Sequence, residues 1–199
     1  MAEVHMKLPA SEADVRKLKA GDTVYLTGTL FTARDEAHLR ALELKHEGKP
    51  IPVKFMDGAL YHCGPIMKKE GDKWRIVAAG PTTSSRMNSM ESKFIEEIGA
   101  RLIIGKGGMN KAVGEAMKKF GACYLAFTGG AAVLAAQRVK DVKGVEWYDL
   151  GMPEAVWILD AVEFGPLTVG MDAQGNSLYE EVAKKIEKNT VEARKKLGL

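Results

Sequence analysis

Three glycine-rich corners at nearly equal spacing restrict the fold of this 199-residue chain more than any other feature. Gly80, Gly105 and Gly129 are 25 and 24 residues apart, and each follows an apolar segment and precedes a helix-like one. The apolar segments are too hydrophobic to have a face in water, which is typical of buried parallel strands. We therefore predict an α/β fold with three parallel strand–glycine loop–helix units. Their corners should face one cleft, because the loops that leave the carboxyl ends of such strands gather at one edge.

The three units occupy the middle of the chain. Strands are predicted at residues 73–79, 101–104 and 123–127. The helix after the first corner should bury Met87, Met90, Phe94, Ile95 and Ile98 on one face and end at Gly99. The other two corners should lead into a helix with an apolar face and into a helix rich in alanine and leucine.

The segments on either side of these units are predicted from local signals. Strands are expected at residues 23–30, 53–55, 60–63 and 166–171, with a hairpin turn at Asp57-Gly58. A helix should begin near Thr32 in a capping box and end before Gly48, and a short one should cover residues 153–159. Ser177 should cap a final helix. We predict one domain over residues 1–199, with helix 177–197 packed on it.

Composition excludes several classes of protein. The net charge is only +3, from 29 basic and 26 acidic residues, so we expect no nucleic-acid partner. Two cysteines cannot build a disulfide framework or supply all the thiolates of a zinc or iron–sulfur site. The first residues show no signal peptide, and no apolar run could cross a bilayer. We therefore expect a cytoplasmic protein with no membrane contact.

Two of the glycine loops carry groups that bind anions. Residues 80–86 contain Thr82, Thr83, two further hydroxyls and Arg86, and the second loop contains Lys106. Helix N-termini and guanidinium groups attract carboxylates and phosphates, so we predict a small anionic ligand, with Thr83 among its binding residues. The alternative is that each corner is merely a turn. Neither loop has the spacing of a phosphate-binding P-loop.

The remaining polar candidates give weaker signals. His5, His38, His46 and His62 are scattered and show no metal-ligand spacing, so we expect no metal site in this chain. His38 could line a site near the start of its helix, or it could be an ordinary surface or packing residue. Both cysteines adjoin apolar strands, where inert thiols are usual.

Several motifs together resemble one enzyme family. They are T-G-T-L-F-T-A-R-D-E-A-H from Thr27, Y-H-C-G-P-I from Tyr61, G-P-T-T-S-S-R-M from Gly80, G-K-G-G-M from Gly105, G-G-A-A-V-L from Gly129 and D-L-G-M-P-E-A-V-W from Asp149. They resemble the β-type region of the iron–sulfur hydro-lyases, that is, the class I fumarases and L(+)-tartrate dehydratase. The resemblance implies the swivelling β/β/α domain, a three-layer fold.

The same resemblance implies how the chain works. In that family an α-type region holds a four-iron, four-sulfur cluster on three cysteines, and this chain resembles only the β-type half. It implies a hydro-lyase subunit, foremost of fumarate hydratase, that is active only in a hetero-oligomer with the α subunit. L(+)-tartrate dehydratase is the alternative within the enzyme class. A stand-alone anion-binding or regulatory module is the alternative outside it.

The resemblance also implies roles for single residues. Arg34 and Arg86 match arginines that bind the carboxylates of a C4 dicarboxylate substrate. Lys106 matches a lysine that contacts the substrate, and Thr82 matches the proposed proton-transferring threonine. Arg86 and Lys106 would further assist catalysis by stabilising the charge that develops in the transition state.

Overall fold

A computed structural model describes residues 1–198 of the chain, and Leu199, the last residue of the predicted domain, lies outside the described residues. The strands are β1 (Glu3–Lys7), β2 (Thr23–Thr32), β3 (Ala59–Tyr61), β4 (Ile66–Glu70), β5 (Lys73–Ala78), β6 (Leu102–Gly105), β7 (Cys123–Ala126), β8 (Val139–Glu146) and β9 (Val156–Met171). The helices are α1 (Glu12–Val15), α2 (Asp35–His46), α3 (Glu91–Lys93), α4 (Lys111–Phe120), α5 (Ala132–Gln137) and α6 (Leu178–Leu197).

The main sheet closes on itself. Its hydrogen-bonded order is β1-β2-β3-β6-β7-β9-β8, and β2 also pairs with β9, so five strands form a ring. The pairs β1–β2, β2–β3, β3–β6 and β6–β7 are parallel, whereas β9 runs antiparallel to β2, β7 and β8. The fold is therefore mixed α/β, and the predicted parallel units are confirmed at β6–α4 and β7–α5.

The first predicted parallel unit is wrong. Strand β5 pairs antiparallel with β4 in a separate two-stranded sheet. Lys73, Arg75 and Val77 are exposed, whereas Ile76 is buried, so the strand has one wet face instead of two buried ones. Such a strand forms a hairpin more readily than a central parallel strand.

Alternating side chains of the ring strands enter two separate cores. Ala59 and Tyr61 point to the side where Trp157 and Phe164 of β9 pack. Leu60, between them, points to the helix side with Phe94 and residues of α2 and α4. Because successive side chains of a strand face opposite sides, these short strands are apolar throughout. The ring strands therefore contribute to two apolar cores, and helices α2 and α4 pack on one of them.

The predicted capping box at Thr32 is wrong because that hydroxyl is used inside the sheet. Thr32 is fully buried at the end of β2, donates to the carbonyl of Ala155 at 3.2 Å and accepts from the backbone N–H of Trp157 at 2.9 Å. Helix α2 consequently begins at Asp35, with Arg34 at its N-cap.

The predicted strand at residues 53–55 and its hairpin are also wrong. A single 3₁₀ turn covers Phe55–Asp57 and ends at Gly58. A Cβ atom on Gly58 would lie 2.4 Å from the carbonyl oxygen of Thr29, so glycine is needed there for the close approach to β2. Gly58, which predicted a hairpin turn, is therefore present because of its close packing against β2.

The predicted helix at residues 153–159 is replaced by the start of β9. Strand β9 has 16 residues and pairs with β2, β7 and β8. Its first residues, Val156 and Trp157, face the two opposite cores, which is the alternation of a strand. The strand predicted at residues 166–171 is the second half of this element.

Helix α6 begins as predicted but packs less than predicted. The Ser177 side chain accepts the backbone N–H of Glu180 at 3.4 Å, and the Tyr179 ring contacts Tyr124 at 6.1 Å between centroids. Beyond the first turn, however, Val182 and Ile186 are exposed, because the described chain offers no apolar surface opposite them. In residues 1–198, no helix is both long and apolar enough to cross a membrane.

Candidate active site

The three glycine corners adjoin one another, as expected. The backbone N–H of Ser84 donates to the carbonyl of Lys106 at 3.0 Å, and the N–H of Lys106 approaches the carbonyl of Thr82 at 3.4 Å. A Cβ on Gly129 would lie 3.3 Å from Cδ of Lys106, so that lysine runs along the third loop. Glycine is needed at position 105, because a Cβ atom there would lie 1.9 Å from Oγ of Ser84.

The two predicted arginines approach the same place from different elements. Arg34 ends the segment after β2, and its Nε lies 3.2 Å from a carboxylate oxygen of Glu154. Arg86 reaches the N-terminus of α2, where its Nε and Nη2 contact the two carboxylate oxygens of Asp35 at 3.2 and 3.0 Å. Asp35 therefore forms a bidentate ion pair with Arg86 and holds it beside Arg34.

Asp35 and Glu154 are site residues that the sequence analysis missed. Both were visible, Asp35 within T-A-R-D and Glu154 within D-L-G-M-P-E, but nothing in the local sequence shows which arginine they face. Arg34 and Arg86 contact these two carboxylates, and Lys106 on the adjoining loop adds a third cation, so the three cations exceed the two carboxylates by one positive charge. Arg86 is 51% exposed, so an anion could reach it from solvent.

The segment that carries the hydroxyls of the first loop is less regular in its backbone structure than predicted. Thr82 is partly buried and donates its backbone N–H to the carbonyl of His62 at 2.6 Å, whereas Thr83 is exposed. The predicted regular helix is wrong. A 3₁₀ turn at Ser84–Met87, the three residues of α3 and a π turn at Phe94–Ile98 replace it. Serine and asparagine are frequent between residues 84 and 92, and they compete with the backbone for hydrogen bonds.

Two histidines and a glutamate form a buried cluster beneath these loops. His38, His62 and Glu91 are completely inaccessible to solvent. The Nε2 atoms of His38 and His62 lie 3.2 and 3.1 Å from the same oxygen, Oε2 of Glu91. From the sequence, His38 was expected to line a site or to be an ordinary surface or packing residue, and no role was expected for His62 or Glu91. The fold brings together residues that are far apart in the sequence.

The cluster has a defined charge distribution. Burial alone would lower the pKa of His38, but the charge and hydrogen bond of Glu91 outweigh burial and raise that pKa above its ordinary value. Burial dominates at His62 and lowers its pKa. At Glu91 burial is outweighed by the two histidines, which lower the pKa of the carboxyl. One ligand atom from each of the three residues lies within 4.8 Å of the others, close enough to hold a metal ion.

The two thiols do not fit an iron–sulfur cluster. Cys63, just after β3, and Cys123, at the start of β7, are both free and fully buried. Burial raises the pKa of each thiol, which disfavours the thiolate form that binds iron. The thiols of this chain are therefore unsuited to hold such a cluster.

The sequence matches the family model described as Fumarase C-terminus over residues 1–182. The chain belongs to the Fumarase C-terminus family. This match confirms the resemblance drawn from the motifs, and it covers every candidate site residue. Residues 183–198 of α6 lie beyond the matched part of the chain.

The relatives of this chain within the family carry two different names. An Escherichia coli K12 protein named L(+)-tartrate dehydratase subunit beta is 47% identical over 88% of this chain and 86% of its own length. A Methanocaldococcus jannaschii protein, provisionally given the same name, is 50% identical over 88% of this chain and 91% of its own length. A Geobacillus stearothermophilus protein provisionally named fumarate hydratase class I is 38% identical over 91% of this chain, which matches only 34% of that protein.

Proposed function

We propose that this chain is the β subunit of a heteromeric iron–sulfur hydro-lyase that acts on a C4 dicarboxylate, with fumarate hydratase as the leading candidate. One observation carries the proposal. Arg34 and Arg86 both approach the carboxylate of Asp35, and the loop that carries Thr82 and Arg86 pairs with the backbone of Lys106. Both enzyme names found among the relatives describe the addition or removal of water at such a substrate.

The two arginines and the lysine would bind the substrate by charge. A dicarboxylate brings two negative charges to a site with one net positive charge, and more negative charge develops on a carboxylate during proton removal. Arg86 would exchange its contact with Asp35 for a substrate carboxylate, while Arg34 remains oriented by Glu154. Fixed cations at the position of developing charge are an effective form of transition-state stabilisation.

Thr82 would transfer the proton at the carbon next to a carboxylate. An alcohol ionises far above neutrality, so the hydroxyl needs adjacent cations to stabilise its deprotonated form. Lys106, whose backbone pairs with that of Thr82, is the nearest candidate in the chain. Thr83 lies on the exposed side of the same loop and would contribute to substrate binding.

An α subunit would complete the site and hold the cluster. The thiols of this chain are buried, and Arg86 and Thr83 lie on an open surface, so both the cluster ligands and a wall of the site must come from elsewhere. A bound four-iron, four-sulfur cluster would supply a Lewis acid for the substrate hydroxyl. The closed ring of strands, with helices α2 and α4 packed on one of its two cores, is compatible with the swivelling β/β/α fold as the finer description of this chain.

L(+)-tartrate dehydratase is the second candidate. The relatives that this chain matches over most of their own length bear that name. Tartrate carries one more hydroxyl than malate, so the same three cations could bind either substrate. The charged contacts alone therefore do not separate the two activities.

The decisive experiment reconstitutes the enzyme. The full chain is purified alone and with its α subunit, the cluster is rebuilt anaerobically, and kcat/KM is measured for fumarate, malate and L(+)-tartrate. We expect no turnover by the chain alone and turnover by the complex. Full activity of the isolated chain would refute the two-subunit proposal, and dicarboxylate binding without turnover in the complex would favour the regulatory module.

A matched pair of variants tests the site itself. Arg86→Ala removes the arginine held by Asp35, and Arg75→Ala removes an exposed arginine held by Glu70 at 3.1 Å. Arg86→Ala should lower kcat/KM by about 100-fold or more while the Tm changes little. Arg75→Ala should leave kcat/KM unchanged. Equal effects of the two variants would refute the assignment of Arg86.

A further inference from the structure

The buried cluster continues in one direction to the loop that carries Arg34. His38 Nδ1 lies 2.7 Å from the backbone carbonyl oxygen of Arg34, and its Nε2 faces the carboxylate of Glu91. Both ring nitrogens of His38 therefore face acceptors, so both need a proton. A doubly protonated His38 is a cation, and its charge balances that of Glu91.

In the other direction the cluster continues to the loops of Thr82 and Lys106. His62 Nδ1 lies 2.9 Å from Oγ of Ser84, which lies 3.0 Å from the hydroxyl oxygen of Tyr124. That hydroxyl accepts the backbone N–H of Gly108 at 3.4 Å. The hydroxyls of Ser84 and Tyr124 can both donate, so the chain of contacts can supply a proton to His62 Nδ1.

Only one placement of the protons gives Glu91 a donor from each histidine without a second buried cation. His62 must carry its proton on Nε2, which leaves Nδ1 as an acceptor for the Ser84 hydroxyl. Ser84 Oγ then accepts the hydroxyl of Tyr124, whose oxygen accepts from the backbone. Both histidine Nε2 atoms then lie at ion-pair distance from Oε2 of Glu91, whereas Oε1 of Glu91 has no hydrogen-bond partner within residues 1–198.

The network is bonded to each part of the candidate site. Besides the contact of His38 with Arg34, the carbonyl of His62 accepts the N–H of Thr82 at 2.6 Å, and the N–H of Ser84 donates to the carbonyl of Lys106 at 3.0 Å. We propose that Glu91, with His38 and His62, is a positioning residue that fixes these three loops relative to one another in the proposed hydro-lyase. This proposal rests on the proposed function for its catalytic consequence but not for the proton arrangement.

The surroundings of His38 agree with this charge distribution. It is faced by Glu91 and His62, by Asp35 from its own helix, and by the Phe94 ring at 4.4 Å between centroids. Arg34, whose carbonyl it contacts, adds a nearby cation. The raised pKa of His38 and the lowered pKa of His62 are the directions that this arrangement requires.

The proton arrangement is tested by NMR on the full chain without its partner. Long-range ¹H–¹⁵N spectra of the imidazoles should show His38 protonated on both nitrogens near neutral pH and His62 neutral with its proton on Nε2. A proton on Nδ1 of a neutral His62, or a neutral His38, would overturn the network. So would one equivalent of metal per chain in elemental analysis of protein purified without chelator.

The positioning role is tested in the reconstituted complex. Glu91→Gln should lower kcat/KM by about 10- to 100-fold, because loosely placed binding groups lose much of their effect. In the unaltered enzyme, the decrease of kcat/KM at alkaline pH should follow the titration of His38 seen by NMR. In Glu91→Gln this alkaline part of the pH profile should change. His46→Gln, which removes an exposed histidine paired with Glu97 at 2.9 Å, is the control and should change neither.

Ser84→Ala provides a second variant if Glu91→Gln does not fold. It breaks the link between His62 and Tyr124, leaves the ion pair in place, and should lower kcat/KM in the same range. If the NMR spectra are as expected but the substitutions in the network behave like His46→Gln, the positioning role is refuted. If Arg86→Ala is also without effect, the proposed function itself fails, while the spectra still decide the proton arrangement.

Discussion

The charge balance of the buried cluster makes the cost of Glu91→Gln depend on pH. The unfolded forms of the two proteins titrate alike above the ordinary glutamate pKa of 4.5, so their difference in stability reflects the folded forms alone. Folded unaltered protein holds one proton on His38, whose pKa is raised. In the variant the carboxylate is gone and burial favours the neutral imidazole. The folded variant therefore binds one proton fewer.

The sign and size of the effect follow from that single proton. In the unaltered protein the raised pKa of His38 contributes a constant stability below the ordinary value of 6.5, and that contribution is lost only as the pH rises through the folded-state pKa. Below 6.5 the change comes from the variant, whose folded form keeps His38 neutral while its unfolded form binds the proton. The cost of Glu91→Gln should therefore shrink by about 1.4 kcal/mol for each unit by which the pH rises, wherever His38 is charged in the unaltered fold and neutral in the variant. Between about pH 5.5 and the ordinary histidine pKa of 6.5, the decrease should be about 1.4 kcal/mol.

Urea unfolding of the full chain at pH 5.5, 6.0 and 6.5 measures this trend. Glu97→Gln, which removes the carboxylate of the exposed pair with His46, is the control and should change stability far less at each pH. A cost of Glu91→Gln that is constant, or that grows as the pH rises, would refute the assignment of a cation at His38.

Three further outcomes are expected. Gly105→Ala should destabilise the fold by about 1–3 kcal/mol in urea unfolding, because its methyl group would overlap the Ser84 hydroxyl, and an unchanged midpoint would contradict the packing. Thr32→Val should cost about 1–3 kcal/mol by the same measurement, because it leaves two buried backbone groups unpaired. Cys63 and Cys123 should react with a thiol reagent only on unfolding, since both are buried, and rapid labelling of the native chain would oppose that burial.

Local signals predicted the parts of the fold in which neighbours in sequence are neighbours in space. The units β6–α4 and β7–α5 were found because each combines an apolar run, a glycine corner and an amphipathic helix within about 25 residues. The four candidate residues Arg34, Thr82, Arg86 and Lys106 were found because three of them lie in those corners and all four lie in recognisable motifs. Only Lys106 follows a strand that was correctly predicted as parallel, whereas Thr82 and Arg86 follow the antiparallel strand β5. Their loop joins that of Lys106 through a bridge between Thr83 and Lys106.

Pairings between distant segments could not be read from the sequence. The apolar run at residues 153–159 fits a helix or a strand equally well, and only its partners β2 and β8 decide in favour of a strand. His38, His62 and Glu91 come from three segments with no shared motif, so their contact exists only in the folded chain. The same is true of the pair between Arg86 and Asp35.

The closed strand ring has a consequence for how the chain must be made. The pairing of β2 with β9 closes the ring, and in it Thr23 pairs with Thr168, 145 residues later. Contacts of such sequence separation form slowly, because a long loop must close before they stabilise anything. The ring therefore cannot close on the ribosome until β9 has been made and has emerged. Until then β2 exposes an open edge to which other chains can pair, so during synthesis this subunit is most vulnerable to aggregation at its first long strand.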